Sequence, residues 1–422
     1  MRAKVVIIAD DLTGGADTGV QFVAGGSPVY LMPVETLSST RPWLATAAGI
    51  SVYTATRDRS ARIAGERVRE VARSLPDPRP RWFYKKIDSC LRGNLGAEID
   101  ALLDALGFDA GLVAPALPAQ GRTTIGGIHR VYGVPLARTR FARDPITPVT
   151  GSAVAEILAR QSRHAIGGIG LETYGDPERL QRAVQRERAR GCRLIVCDAA
   201  EQAHLDQVAA LVIRSPERLL PVGSAGLAAG VVSRFAPDRV VEPGPAPGLE
   251  RLLMVCGTGA PVTREQLDAL LDKYPGVRHE SAPEWLITAS AQDRRRCAAE
   301  LLAAWTGGIL ALGVRPLSPA GPAVSPEQAD QGLAGLADLA LQVMRAGLVE
   351  GLFLSGGETA DAFRRASGGE AIHLEREPLP GLVLGRWVGG IADGLPVVTK
   401  AGAFGTERTL VALYEGLSGG DG

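Results

Sequence analysis

The sequence predicts an α/β protein of two domains, each with a mostly parallel sheet flanked by helices. The chain has 422 residues, more than one core ordinarily serves, so two domains of roughly 200 residues each are expected. Short apolar, β-branched runs alternate with stretches of helical spacing, the pattern of βαβ units. Charged and glycine-rich segments gather where the apolar runs end, the place where open parallel sheets bind ligands.

Taken in order, residues 4–9 read as a buried parallel strand. It ends at Asp10-Asp11 and runs into a glycine-containing turn, DLTGGADTG. A second strand over 50–55 ends at Thr56-Arg57, and 59–75 has helical spacing. A third strand, 82–87, ends at Asp88-Ser89 and leads through CLRGN to a helix over 95–106. Residues 111–115 form another strand entering a Pro/Gly-rich loop, and 130–150 read as an extended excursion, a hairpin or lid. Alternation resumes with a helix over 177–190, a strand over 194–197 and a strand over 219–222 entering GSAGLA.

The segment EPGPAPG, 242–248, suits neither helix nor strand and is expected to link a first domain, 1–241, to a second, 249–422. In the second, strands over 252–255, 352–354 and 396–398 enter CGTGAP, SGGET and TKAGAFG. Thr263 with Gln266, and Ser325 with Gln328, are spaced as capping boxes, the latter opening a helix over 326–346. The final GLSGGDG is expected to fray.

Composition removes several classes. Basic and acidic side chains number 46 each, which argues against nucleic acid or an anionic membrane as main partner. No stretch approaches the ~18 apolar residues of a membrane helix. The opening MRAKVVIIADD lacks the apolar length of a signal peptide, so a cytoplasmic location is expected. The five cysteines are scattered without CxxC, and the five histidines without HxxxH, so neither disulfides nor a protein-held metal is expected. Only five of the 46 basic residues are lysine, and Lys85, Lys86 and Lys400 all fall in the segments discussed next.

Asp10, Asp11, Asp17, Arg57, Lys85, Lys86, Asp88, Ser89, Arg92 and Asn94 follow strand ends of the first domain. Carboxylates accept from sugar hydroxyls, while arginine and lysine meet a carboxylate or phosphate. Such a mixture suits a ligand with hydroxyls at one end and an anion at the other. Turn and cap roles explain any single one of them equally well. The loop 114–136 carries Arg122, Thr123, Thr124 and His129; it reads as a substrate-covering or dimer-forming loop, with His129 itself structural. In the second domain, Cys256–Pro261, Ser355–Thr359 and Lys400–Gly405 are strand-to-glycine turns. Their backbone N–H groups suit phosphate oxygens. No GxxxxGK[ST] loop and no clean dinucleotide fingerprint is present, which disfavours a nicotinamide-dependent dehydrogenase.

These motifs resemble those of the four-carbon acid sugar kinase family along nearly the whole chain: IADDLTGGADTG, YKKIDSCLRGNLGAEI, APALPAQGRTTIGGIHRVYGVPL, DPITPV, GSAGLA, SGGETA and KAGAFG, in that order. The resemblance implies a sugar-acid-binding first domain and an ATP-binding second domain, and the two are expected to face each other across a cleft. It implies phosphorylation of the terminal hydroxyl of threonate, erythronate or 3-oxo-tetronate, with Mg²⁺ neutralising the ATP phosphates. Carried over by motif, Asp11, Arg57, Lys86, Asp88, Ser89 and Arg92 contact the acid. Asp10 is expected to align hydroxyls beside Asp11 and Asp88, with Asp11 preferred to Asp88 as proton acceptor. Cys256, Ser355, Gly356, Gly357, Glu358, Thr359, Lys400 and Gly402 contact ATP. A homodimer is compatible with the resemblance. The chain departs from the family at Cys90 and in CGTGAP, where hydroxyl-bearing residues are usual. A kinase of a larger acid and a catalytically silent sugar-acid or nucleotide sensor therefore stay open.

Overall fold

The computed structural model describes residues 4–23, 28–39, 41–75, 80–144, 146–235, 247–315 and 325–419. The chain divides into two compact units, Met1–Val241 and Glu242–Gly422. Most of the 242–248 segment expected as a linker lies outside the described residues. Among the described residues no helix is long and apolar enough to cross a membrane.

The strands, in chain order, are β1 (Val5–Ala9), β2 (Val29–Pro33), β3 (Gly49–Tyr53), β4 (Trp82–Lys86), β5 (Ala110–Ala114), β6 (Arg122–Ile125), β7 (Ile128–Val131), β8 (Val134–Pro135), β9 (Ala165–Ile169), β10 (Cys192–Cys197) and β11 (Leu219–Gly223). In the first unit the described sheet runs β2-β3-β1-β4-β11-β5-β10-β9, with every pairing parallel. Val6, Ile7, Ile8 and Ala9 of β1 are wholly buried, as expected of a central strand covered on both faces. The register aligns Ala9 with Tyr53 and Ile8 with Lys85. The carboxyl ends of β1, β3 and β4 therefore stand side by side. The excursion expected near 130–150 is a small antiparallel sheet, β6-β7-β8, followed by two short 3₁₀ turns, Leu136–Arg138 and Arg140–Arg143.

The second unit contributes β12 (Arg251–Cys256), β13 (Gly276–Ser281), β14 (Gly308–Val314), β15 (Gly351–Ser355), β16 (Ala371–Leu379), β17 (Leu382–Val388) and β18 (Pro396–Lys400). Its order is β13-β14-β12-β15-β18-β17-β16, parallel from β13 to β18, with the β16–β17 hairpin antiparallel. Cys256 pairs with Ser355, and Ser355 with Lys400. Again three neighbouring strands end together. The core under them joins Leu252, Met254, Phe353 and Val398 to Leu267, Leu410 and Leu413.

Three sequence expectations are corrected. DLTGGADTG is not a turn: a helix, Leu12–Val23, begins directly after Asp11. Gly15 sits where the helix lies against the sheet too closely for a side chain: a Cβ there would stand 2.7 Å from Leu31 Cδ1 and 3.2 Å from Ser51 Oγ, and Ser51 Oγ donates to Gly15 O at 2.8 Å. Thr263 and Gln266 form no capping box. The helix Pro261–Lys273 has Ala260 at its N-cap with no side-chain cap, and both residues turn instead onto the loop after β18. GLSGGDG does not fray throughout, since the helix Thr409–Ser418 includes its first three residues and Leu417 is buried. The box at Ser325 and Gln328 is present as expected.

Candidate functional site

In the first unit the strand ends carry an ion-pair network. Arg57, just beyond β3, donates from Nε to Asp10 Oδ2 at 2.6 Å and from Nη2 to Asp10 Oδ1 at 3.0 Å. Its Nη2 also lies 2.8 Å from Asp11 Oδ1 and 3.7 Å from Asp88 Oδ1. Arg92 forms the second fork, with Nε and Nη2 each 3.0 Å from the Asp88 carboxylate and Nη1 3.3 Å from Asp144 Oδ2. Bidentate pairs of this kind fix direction as well as charge. Phe141 stacks under the Arg92 guanidinium at 5.5 Å. The two residues holding the turns of the network, Ala55 and Leu91, have φ of 52° and 61°. Non-glycine residues rarely adopt this conformation outside sites that over-determine it.

Each carboxylate has a distinct environment. Asp10 is buried, which by itself raises its pKa; Arg57, with Lys85 and Lys86, outweighs this and holds it below the usual range. Burial likewise pushes Asp88 up, and Arg92 and Arg57 overcome it, so Asp88 stays firmly ionised. Asp88 also accepts from Cys90 N at 3.0 Å and Arg92 N at 3.3 Å. Asp11 caps the helix Leu12–Val23, accepting from Gly14 N at 2.8 Å and Thr13 Oγ1 at 2.9 Å. A Cβ on Gly14 would stand 2.5 Å from Asp11 Oδ1 and 3.0 Å from Lys86 Nζ, so glycine is what lets those two charges converge.

Lys85 and Lys86 separate by the alternation of a strand. Lys85 is wholly buried and pairs with Glu98 at 2.7 Å, while Glu98 accepts from Thr56 Oγ1 at 2.7 Å. That pair braces the network from behind. The Lys86 side chain is also buried; its one ion pair within 4 Å among the described residues is Asp17 at 3.7 Å, too long for a hydrogen bond, and its charge also reaches Asp10 and Asp88. Ser89 is buried with its hydroxyl unpartnered among the described residues, while its carbonyl accepts from His129 Nε2 at 2.8 Å. His129 therefore carries its proton on Nε2 and accepts from Thr124 Oγ1 at 3.0 Å on Nδ1. Burial lowers its pKa to about 4, and it serves as a neutral strut, consistent with the structural role expected of it. Burial beside Asp88 pushes the Cys90 thiol up to about 11. Next to Arg57 opens a cavity of about 300 Å³ lined in part by Leu91, Gly93, Thr147, Val149 and Gln161.

In the second unit the three glycine turns pack on one another. Gly356 precedes the helix Gly357–Ser367, whose first turn holds Glu358, exposed, and Thr359, buried. A Cβ on Gly402 would lie 2.2 Å from Thr258 Oγ1, so the CGTGAP and KAGAFG turns touch through a glycine. Cys256 faces the core, and burial pushes its thiol up to about 12. Ser355 is buried, with its hydroxyl 3.4 Å from Thr263 Oγ1. Gln266 donates to Phe404 O at 3.0 Å and Thr406 O at 2.9 Å. Lys400 is wholly buried, its ammonium turned inward beneath its own loop.

The sequence thus located the strand-end residues but missed their supports. Asp144 sits in the quoted DPITPV segment, and only folding brings it to Arg92. Thr263 and Gln266 carried a helix-start spacing that masked their loop-bracing role. Among the described residues no group of three or more His, Cys, Asp or Glu is placed to hold a metal.

With this geometry in hand, comparison with known proteins is direct. Residues 5–231 match the model of a sugar-binding N-terminal domain, and residues 253–410 that of a nucleotide-binding C-terminal domain. The chain is 34% identical to a D-erythronate kinase of Heliobacterium modesticaldum, covering 96% of this chain and 94% of that one. It is 34% identical to a D-threonate kinase of Salmonella typhimurium, covering 97% and 98%. A solved structure of another Salmonella typhimurium protein superposes with a TM-score of 0.80 at 23% identity, over 97% of this chain and 98% of that one, and shares the fold. The chain belongs to the family of four-carbon acid sugar kinases, in which a sugar-binding N-terminal domain is joined to a nucleotide-binding C-terminal domain.

Proposed function

We propose that the protein is an ATP-dependent kinase that phosphorylates the terminal (C4) hydroxyl of a four-carbon sugar acid: threonate, erythronate or 3-oxo-tetronate. Residues 1–241 form the acid-binding domain, 242–248 the linker and 249–422 the nucleotide-binding domain. The observation that carries the reading is Lys86. A lysine with a buried stem and ammonium donors to offer, beside a carboxylate that caps a helix, is arranged for an anionic ligand rich in hydroxyls.

In this reading Lys86 takes the substrate carboxylate, with Arg57 and Arg92 lending charge from positions fixed by Asp10 and Asp88. Ser89 and Asp11 meet hydroxyls. Asp11 is the proton acceptor. Asp88 receives two guanidinium and two backbone donors, whereas Asp11 keeps lone pairs beyond its Thr13, Gly14 and Arg57 contacts. Phosphoryl transfer asks the protein mainly for alignment and charge neutralisation. The turns at Cys256, Ser355–Thr359 and Lys400–Gly402 hold ATP through backbone N–H groups and the N-terminus of the helix Gly357–Ser367.

Magnesium binds mostly through substrate phosphates with one or two carboxylates. Exposed Glu358, in the first turn of that helix, fits such a part. Mg²⁺ would supply neutralisation of phosphate charge.

The test of the acid site is Lys86→Met. The reading expects KM for the acid to rise about 10- to 100-fold, the worth of a charge-assisted hydrogen bond, with KM for ATP unchanged. An unaltered KM for the acid would remove Lys86 from the site.

A further inference from the structure

Lys400 closes β18, and its ammonium lies inside the turn that follows. Nζ is 3.2 Å from Ala401 O, 3.3 Å from Gly402 O, 3.1 Å from Phe404 O and 3.3 Å from Thr263 Oγ1. Three of these oxygens belong to the backbone of one short loop. The same loop is held from the neighbouring helix by Thr263 Oγ1 donating to Gly402 O at 2.9 Å, and by Gln266 donating to Phe404 O and Thr406 O. An ammonium has three hydrogens and no acceptor, so four surrounding oxygens engage it fully.

We propose that Lys400 acts as a tethered monovalent cation. It is a positioning residue that gathers the carbonyls of Ala401, Gly402 and Phe404 around itself, and it does not touch the nucleotide phosphates. The consequence follows from the planar trans peptide, whose C=O and N–H point in opposite directions. With these carbonyls turned toward Nζ, the N–H groups of Gly402, Ala403 and Gly405 face away from it. Outward N–H groups gathered in one turn, with that of Phe404 tied back to Ala401 O at 3.0 Å, make the kind of concave anion site that phosphate oxygens prefer. Ringed carbonyls are also how proteins replace the hydration shell of a bare monovalent cation. The lysine therefore does from within the chain what a bound potassium ion does elsewhere. The inference rests on the reading of the second unit as the nucleotide site, and it reassigns the lysine from phosphate contact to loop construction.

The experiment is Lys400→Ala, measured with and without added cations. Three readouts are taken: hydrogen exchange at residues 401–406 in nucleotide-free protein, affinity for a fluorescent ADP analogue, and KM for each substrate. The variant is expected to exchange faster across the loop, to bind the analogue about tenfold more weakly or worse, and to keep its KM for the acid. Potassium or methylammonium restores both loop protection and nucleotide affinity, while lithium and tetramethylammonium do not. Unchanged loop exchange, or a loss that no cation of potassium size restores, overturns the proposal. Loop exchange needs no nucleotide, so a wild type that fails to bind the analogue contradicts the nucleotide reading and leaves the cage to be decided by exchange.

If Lys400→Ala does not fold, the wild type decides through the ¹⁵Nζ signal of Lys400, which is resolvable in a chain with five lysines. A slowly exchanging ammonium that ADP leaves unmoved supports the cage. A rapidly exchanging ammonium, or one shifted strongly by ADP, overturns it.

Discussion

Asp11 and His129 show how differently two polar residues in the same site are employed. Asp11 accepts from the helix N-terminus and from Arg57 and, in the proposed function, takes the substrate proton. Asp11→Asn is therefore expected to lower kcat by about 10²- to 10⁴-fold while substrate affinity measured by equilibrium binding holds; full turnover by the variant would move the proton acceptor elsewhere. His129 is buried between Thr124 and Ser89, with its pKa lowered to about 4. An unfolded histidine titrates near ~6.5. Between those values the unfolded chain takes up a proton that the folded chain refuses, so stability falls as pH drops from about 6.5 toward 4, by about 3 kcal/mol in all. Asp10 and Asp88, held low by their arginines, lose their stabilisation only in a more acid range, below the ~3.9 of a free aspartate. Denaturation midpoints followed across that range in wild type and His129→Gln separate the two. The variant lessens the upper part of the slope and leaves the lower part unchanged; His164, His279 and His373, also held low by burial, keep the remainder. At this scale the sequence placed Asp10, Asp11, Arg57 and Asp88 just beyond strand ends, where the structure has them. It could not tell Lys85 from Lys86: their fates diverge through the pleat of β4 and the position of Glu98, a contact 13 residues away that no local pattern announces.

Among the elements, the buried Lys85–Glu98 pair couples β4 to the helix Leu95–Leu106 behind the site. Removing one partner strands the other charge. Lys85→Met is expected to destabilise by about 3–5 kcal/mol, and the double change Lys85→Met with Glu98→Leu to recover much of it; chemical denaturation of the three proteins gives the comparison. An equal loss in the double variant would mean that the pair is needed for more than charge balance. In the second unit, Gly402→Ala drives a Cβ onto Thr258. It should raise KM for ATP about tenfold or more, since small displacements of positioning groups are costly, and leave KM for the acid alone. The alternating pattern made the central strands legible, and the 95–106 helix was read with its observed limits. The helix Leu12–Val23 was not, because GG within a window of polar residues mimics a turn, and only the folded contacts, Asp11 and Lys86 at Gly14, Leu31 and Ser51 at Gly15, explain glycine there. Edge strands such as β9 and β13 are too polar or too glycine-rich for periodicity to mark them.

Over the whole molecule, two units each end three neighbouring parallel strands at a polar cluster, one built of carboxylates and cations, the other of glycine turns. The account assigns acid to the first and nucleotide to the second. Hydrogen exchange should therefore show the acid protecting residues 10–17, 54–57 and 86–94, and a nucleotide protecting 256–260, 355–359 and 400–405; the reverse pattern would exchange the assignments. The overall class was readable because both domains repeat the same βαβ grammar. The antiparallel β16–β17 hairpin was not, since it follows no alternation with helices. The central claim is chemical, and one measurement reaches it most directly: ADP release from Mg-ATP across D- and L-threonate, D- and L-erythronate and their 3-oxo forms. The account predicts turnover with at least one of these acids and none without acid. ADP release with none of them, from protein shown to bind ATP, would contradict the four-carbon assignment.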